Sequence, residues 1–266
     1  MQDNYGREIT KMRISVTDRC NLRCKYCMPP EPVKWLPHKK ILSLEEIAAI
    51  VGVAANMGID QIRLTGGEPL LRCDICKLIT MLKNIAGITE VAMTTNGILL
   101  TKFAARLRDS GLDRINISLD TLSPKRFHAI TEGGDIQEVL EGIDAAIMAG
   151  LSPIKLNCVI EESSQENDAQ AIRDYAAQRG IKARFIKLMN LQNGHFTTVE
   201  GGDGGNCDIC NRMRLLCDGT LKPCLFSDIE FDVRKLGIRE ALTMAIRQKP
   251  KMGGSCLERW MYQIGG

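Results

Sequence analysis

Three cysteines crowd into one short stretch of this chain: Cys20, Cys24 and Cys27, with three and then two residues between them in RISVTDRCNLRCKYCMPP. In a loop directly after a β-branched run, three such thiolates suit three irons of a [4Fe–4S] cubane and leave the fourth iron open. An open iron can chelate the amino and carboxylate groups of a methionyl moiety and so bring a sulfonium close enough for one-electron cleavage, which starts radical chemistry. Tyr26, just before the third cysteine, suits packing near an adenine. The competing use of the three thiols is a structural zinc site completed by a ligand from elsewhere.

A second group lies near the other end, Cys207, Cys210, Cys217 and Cys224 in CDICNRMRLLCDGTLKPCLF. This spacing holds either zinc or a second iron–sulfur cluster. Between these cysteines Arg212 and Arg214 share one face if the backbone is extended, which suits an anionic ligand; a solvated face is the plain alternative. The chain has eleven cysteines in all, an odd number in two tight groups with no export signal, which argues for metal ligation in a reducing compartment rather than disulfides. Cys73, Cys76 and Cys158 read as ordinary thiols, although the first two form a CxxC at a predicted helix start, and Cys256 in the tail is a lesser candidate than Cys217 for a fourth ligand.

Other chemistry-bearing residues fall where strands should end. Gly66, Gly67 and Glu68 in LTGGEPLLR would let the backbone approach a ligand closely, or else make a tight turn. Thr95 and Asn96 in MTTNG, and Ser118 and Asp120 in NISLD, are candidates for hydrogen bonds to a cofactor or plain turn residues.

The elements that must position these groups follow from hydrophobic periodicity. Strands are predicted at Lys11–Val16, Gln61–Thr65, Glu90–Thr94, Asp113–Leu119, Ile154–Ile160 and Ala183–Leu188, alternating with helices at Leu44–Met57, Asp74–Ile85, Thr101–Asp109, Gln137–Ala149 and Glu166–Gln178. Ser43 with Glu46 reads as a capping box, and Gly111, Gly150 and Gly180 as helix C-terminal caps. Six βα units make an α/β fold, an incomplete (βα)6 TIM-like barrel over residues 1–189, whose functional groups sit at the carboxyl ends of strands. Residues 190–266 are expected to form a polar, glycine-rich linker or mobile loop (NLQNGHFTTVEGGDGGN) and a small C-terminal cysteine module with a helix near Ile238–Arg247.

Bulk properties narrow the function. A hydrophobic fraction of 44% supports a globular core, and 35 basic against 32 acidic residues without a long single-sign block give no support to a nucleic-acid or membrane-surface partner. No apolar run approaches the roughly 18 residues of a membrane helix, and the N-terminus lacks a signal-peptide core, so a cytoplasmic location is expected.

Taken in order, YGREITKMRISVTDRCNLRCKYCMPP, IRLTGGEPLLR, MTTNG, INISLDTL, ARFI, CNRMRL, DGTLKPCLF and the terminal IGG resemble the radical S-adenosylmethionine superfamily. Within it they resemble the GTP 3′,8-cyclase family of molybdenum cofactor biosynthesis. The resemblance implies two [4Fe–4S] clusters, one on Cys20, Cys24 and Cys27 and an auxiliary one on Cys207, Cys210 and Cys224 whose open iron binds guanine. It implies that the GGEP loop binds the methionyl amino group. Arg13, Arg72, Lys155, Arg184, Arg212 and Arg214 match basic positions around the nucleotide, its phosphates or the cofactor. Arg184 is assigned to the cofactor, and Arg212 and Arg214 to substrate binding and catalysis. The implied reaction is hydrogen abstraction from the ribose 3′ carbon of GTP by a 5′-deoxyadenosyl radical, then closure onto guanine carbon 8, with electrons from a donor such as flavodoxin or ferredoxin.

Three features depart from the family pattern. Only seventeen residues separate Met189 from Cys207, where the family has a long connection. Lys187 stands where the family has glutamate. Cys217 stands where the family lacks cysteine, and as a fourth ligand it would close the auxiliary cluster. That arrangement would suit a radical enzyme acting on another nucleotide or a peptide, while a zinc-binding interaction module is the non-catalytic alternative.

Overall fold

In the computed structural model, which describes residues 1–202 and 204–265, six parallel strands are laid down in chain order. They are Lys11–Ser15 (β1), Gln61–Thr65 (β2), Glu90–Thr95 (β3), Arg114–Ser118 (β4), Ile154–Ile160 (β5) and Lys182–Lys187 (β6). The helices between them are Leu44–Ala55 (α1), Ile75–Lys83 (α2), Leu100–Asp109 (α3), Pro124–Thr131 (α4), Ile136–Met148 (α5) and Asn167–Gln178 (α6). The α/β partial barrel is therefore present, with strand limits within a residue or so of those read from periodicity.

Alternation explains the layering. In β1 and β2 the apolar positions Met12, Ile14, Ile62 and Leu64 are buried against the helices, while Lys11, Arg13 and Ser15 stand in register with Gln61, Arg63 and Thr65 on the opposite, inner face. The same register carries Arg63 to Ala92 and Ala92 to Arg114. Ser43 and Glu46 form the reciprocal capping box at α1, and Gly111, Gly150 and Gly180 take positive φ just past α3, α5 and α6.

Helix α4 is not foreseen by periodicity. It is short, and a local signal starts it: the Ser123 hydroxyl accepts from Arg126 N–H and Pro124 occupies the first turn. After β6 the chain returns to the far edge of the sheet. Arg212–Leu215 (β7) pairs parallel to β1, followed by antiparallel Thr220–Lys222 (β8) and Phe231–Asp232 (β9), for the order β6-β5-β4-β3-β2-β1-β7-β8-β9. Val233–Leu236 (α7), Ile238–Arg247 (α8) and Met261–Ile264 (α9) complete the described chain, with α8 packed on α1, β8 and β9.

The segment expected to be a linker or mobile loop is held by backbone pairing. Phe185 and Glu200 exchange both backbone hydrogen bonds, as do Asn190 and His195, so residues 190–200 double back along the open edge of β6. A second small core of Leu191, Leu216, Phe226, Cys256 and Ile264, with Phe196 stacked on Phe226 at 4.4 Å, holds this segment to the C-terminal part.

Candidate functional site

The cysteine loop leaves β1 at Ser15 and is fixed by backbone contacts. Cys27 and Met28 N–H both donate to the Cys24 carbonyl, and Arg23 and Lys25 N–H donate to the Thr131 and Ile130 carbonyls at the end of α4. The unforeseen helix thus anchors the loop. The thiols lie near enough to feel one another's charge: burial, then the neighbouring negative charge of Asp120 and Cys20, pushes Cys24 up to about 12. Burial, then Cys24 and Cys20, pushes Cys27 higher still. Cys20 rises to about 11 through burial, although Leu22 N–H donates to its sulfur at 3.4 Å. Three thiols that resist ionising together can all become thiolates only around strong positive charge, which iron supplies. Among the described residues no three His, Cys, Asp or Glu side chains converge to hold one metal ion, whereas a cubane takes each thiolate on a different iron. The donor set fits a cluster.

The glycine loop packs on it backbone to backbone. Gly67 N–H donates to the Thr17 carbonyl and Glu68 N–H to Arg19 at 2.7 Å. A side chain at Gly67 would collide with the Arg19 carbonyl, so the close approach demands glycine. Glu68 turns inward, 1% exposed, and accepts from Leu70 N–H, the Thr95 hydroxyl and Asn96 N–H. It thereby braces the ends of β2 and β3, and burial lifts its pKa to about 7 against those three donors. Asn96 Nδ2 reaches Asn21 and lies 3.9 Å from Cys20 Sγ. Tyr26 donates its hydroxyl to Asp120 Oδ2 at 2.7 Å, while Asp120 Oδ1 accepts from Val159 N–H. Burial raises the Asp120 pKa.

Below this rim the inner face of the barrel is cationic. Arg63 is held down to about 10 by burial and then by Arg114 and Arg184, with Arg212 contributing and Glu90 opposing. Burial, then Arg184, Arg114, Lys182 and Arg63, lowers the Lys155 pKa. Lys11, Arg13, Arg63, Arg114 and Arg212 line one cavity with Glu90. Arg114 Nε, Asn116 Oδ1 and Asn157 Oδ1 are buried without a hydrogen-bond partner, and Asn157 stands in register with both Ser118 and Arg184. Buried polar atoms left in that state point to a polar ligand among them.

Arg13, Lys155, Arg184 and Arg212 are therefore brought together as expected. Arg72 is not. Its guanidinium donates to the Leu42 carbonyl at 2.7 Å and to Val16, pinning the chain before α1 to the end of β1. Arg63 and Arg114 take the inner positions instead and were missed by motif reading; the signal was Arg63 lying two residues before Thr65, on the same strand face.

The second thiol set lies at the opposite end of the strands. Asn211 pairs with Thr10 beside the start of β1, so Cys207 and Cys210, just before β7, sit at the amino ends of β1 and β7. Cys224 follows β8, which runs back toward that end. Cys210 N–H donates to the Cys207 carbonyl, and buried Arg7, ion-paired with Asp3 at 2.7 Å, donates to that same carbonyl at 2.7 Å. Burial pushes the Cys210 thiol up, but Lys249 and Arg212 more than offset it and the net pKa is lowered. Arg214 is buried, lowered to about 10 by desolvation, with Cys224, Cys210 and Cys256 as its thiol neighbours. Its Nη1 donates to the Gly265 carbonyl at 2.9 Å. Gly265 lies against Thr65 and Ser15; Gly266 is outside the described residues. Cys217 is parted from this set: buried beside Asp18, Asp218 and Ser15, with its carbonyl accepting from Leu42 N–H, it faces the barrel loops.

Residues 14–176 match the radical SAM superfamily. Over 320 aligned positions the chain is 38% identical to the GTP 3′,8-cyclase of Alkaliphilus oremlandii, all of both chains being covered. It is 40% identical over 326 positions to that of Pelotomaculum thermopropionicum, again with full coverage of both. Against 266 residues here, those alignments leave more than fifty positions without a counterpart, in keeping with the short connection before Cys207. Among solved structures, Streptococcus suis SuiB bound to its precursor peptide SuiA superposes with TM-score 0.67 at 15% identity, covering 91% of this chain and 65% of that one. The AdoMet-bound anSMEcpe superposes with TM-score 0.65 at 14% identity, covering 91% and 81%.

Proposed function

The chain belongs to the radical SAM superfamily and, within it, to the GTP 3′,8-cyclase family, and on that premise we propose that it joins the ribose 3′ carbon of GTP to guanine carbon 8 in molybdenum cofactor biosynthesis. The observation that carries this reading is the placing of two thiol sets at opposite ends of one cationic lumen.

Bound at Cys20, Cys24 and Cys27, a [4Fe–4S] cluster with S-adenosylmethionine would supply the radical that takes a ribose hydrogen atom. The residues of the chain bind and orient. Arg13, Arg63, Arg114, Lys155 and Arg212 would hold the triphosphate through charge-assisted hydrogen bonds, excluding other registers of the nucleotide, with Arg184 beside them on the cofactor. Cys207, Cys210 and Cys224 would hold the auxiliary cluster at the base end, with Arg214 between the two sets. Glu68 keeps Thr95 and Asn96 in place, and the Tyr26–Asp120 hydrogen bond fixes the aromatic over the cysteine loop. A small electron carrier such as flavodoxin or ferredoxin would deliver electrons.

Anaerobic reconstitution followed by incubation with S-adenosylmethionine, dithionite and GTP is expected to give 5′-deoxyadenosine, stimulated by GTP, and a cyclised nucleotide. Deoxyadenosine that GTP fails to stimulate, with no nucleotide product, would overturn the substrate. Bound zinc without iron would overturn the enzyme.

A further inference from the structure

Lys249 lies far in sequence from every cysteine of the second set, yet it joins their segments. Its Nζ donates to the Arg212 carbonyl at 2.6 Å and to the Pro223 carbonyl at 2.6 Å. Arg212 is two residues past Cys210, and Pro223 is the residue before Cys224. The Cys210 and Cys224 thiols are the negative partners that its ammonium faces. The residue is only 3% exposed. An ammonium buried this deeply is partly solvated by the two carbonyls, and it still carries a desolvation penalty that facing negative charge offsets. Neighbouring Arg7 differs in one respect. It pins Cys207, Pro250 and Lys251 through their carbonyls, but Asp3 neutralises its charge.

We propose that Lys249 is a positioning residue for the auxiliary cluster: it clamps the Cys210 and Cys224 segments together and holds a fixed positive charge against the cluster's thiolates. This rests on the functional reading above. Cluster potentials follow net charge, hydrogen bonds to sulfur and exposure. A buried positive charge at the sulfurs stabilises the more negative, reduced cluster, so the auxiliary cluster should be easier to reduce with Lys249 than without it.

The test compares the reconstituted unaltered protein with Lys249→Met and Lys249→Arg by iron analysis and by a redox titration followed by electron paramagnetic resonance. Lys249→Met is expected to lower the reduced-to-oxidised ratio of the auxiliary cluster about tenfold at the potential where the unaltered protein is half reduced, a shift of about 59 mV for a one-electron couple. The signal of the cluster on Cys20, Cys24 and Cys27 should not move, and Lys249→Arg should restore most of the ratio. If Lys249→Met takes up iron for one cluster alone while Lys249→Arg takes up both, the assignment also stands. An unchanged ratio in Lys249→Met, or a Lys249→Arg variant that behaves like Lys249→Met, overturns it. An unaltered protein that takes up iron for only one cluster overturns the functional reading, and this assignment with it.

Discussion

Glu68 shows how one buried side chain can hold a site without touching a substrate. Its carboxylate gathers Leu70, Thr95 and Asn96 beneath the cysteine loop, and burial lifts its pKa to about 7 from an ordinary 4.5. The folded chain therefore binds this proton more tightly than the unfolded chain does. Its contribution is full below about pH 4.5 and is lost as pH rises toward 7, by on the order of 3 kcal/mol at most. Urea unfolding of the apoprotein at pH 5 and pH 8 should show a loss with rising pH that is smaller in Glu68→Gln. Equal losses in the two proteins would show that Glu68 does not titrate in this window. Glutamine also offers one acceptor oxygen where the carboxylate offers two, so some stability is lost at every pH, about 1–3 kcal/mol for an orphaned buried donor. The GGEP motif made Glu68 legible in the sequence as a site residue. That its side chain serves the protein's own backbone and Thr95 was not legible, because the donors lie up to 28 residues away.

At the scale of elements, the site depends on loops at strand ends meeting without side chains between them. Gly67→Ala should force the Arg19 carbonyl away and break the Gly67–Thr17 and Glu68–Arg19 hydrogen bonds. Overpacking of this kind costs about 1–3 kcal/mol. The expected outcome is S-adenosylmethionine binding at least tenfold weaker, measured by calorimetry on the reconstituted protein, with the auxiliary cluster's iron retained. Undiminished binding would count against the glycine loop as the cofactor cradle. Strands β2 and β5 and helix α8 have the limits that periodicity predicts, since each carries its pattern locally. Helix α4 escaped because it is short and its value is tertiary: the carbonyls of Ile130 and Thr131 accept from the cysteine loop. The glycine-rich segment after β6 reads in sequence as a linker or mobile loop for a related reason. Its order comes from Phe185 on the open edge of β6 and from Phe226, neither of which the segment contains.

Across the whole molecule, inner-facing cations accumulate although the net charge is only +3. Such a lumen attracts a triphosphate and should do so less strongly in salt. Arg63→Ala is expected to raise KM for GTP at least tenfold, corresponding to about 1.5–3 kcal/mol for a lost charged hydrogen bond, with uncoupled cleavage of S-adenosylmethionine retained. A normal KM in that variant would remove Arg63 from the phosphate site. By itself the sequence determined the thiol spacings, the glycine loop, the capping box and the alternation of strands with helices, because each is a pattern complete within a few residues. Tertiary structure alone decided that Arg63 rather than Arg72 joins Arg13, since strand register, not spacing, sets which cations share a face. It also decided that Cys217 turns toward Asp18 while Cys210 and Cys224 turn toward Lys249. Those contacts join residues up to about two hundred positions apart, and only the closing of β7 onto β1 brings them within reach.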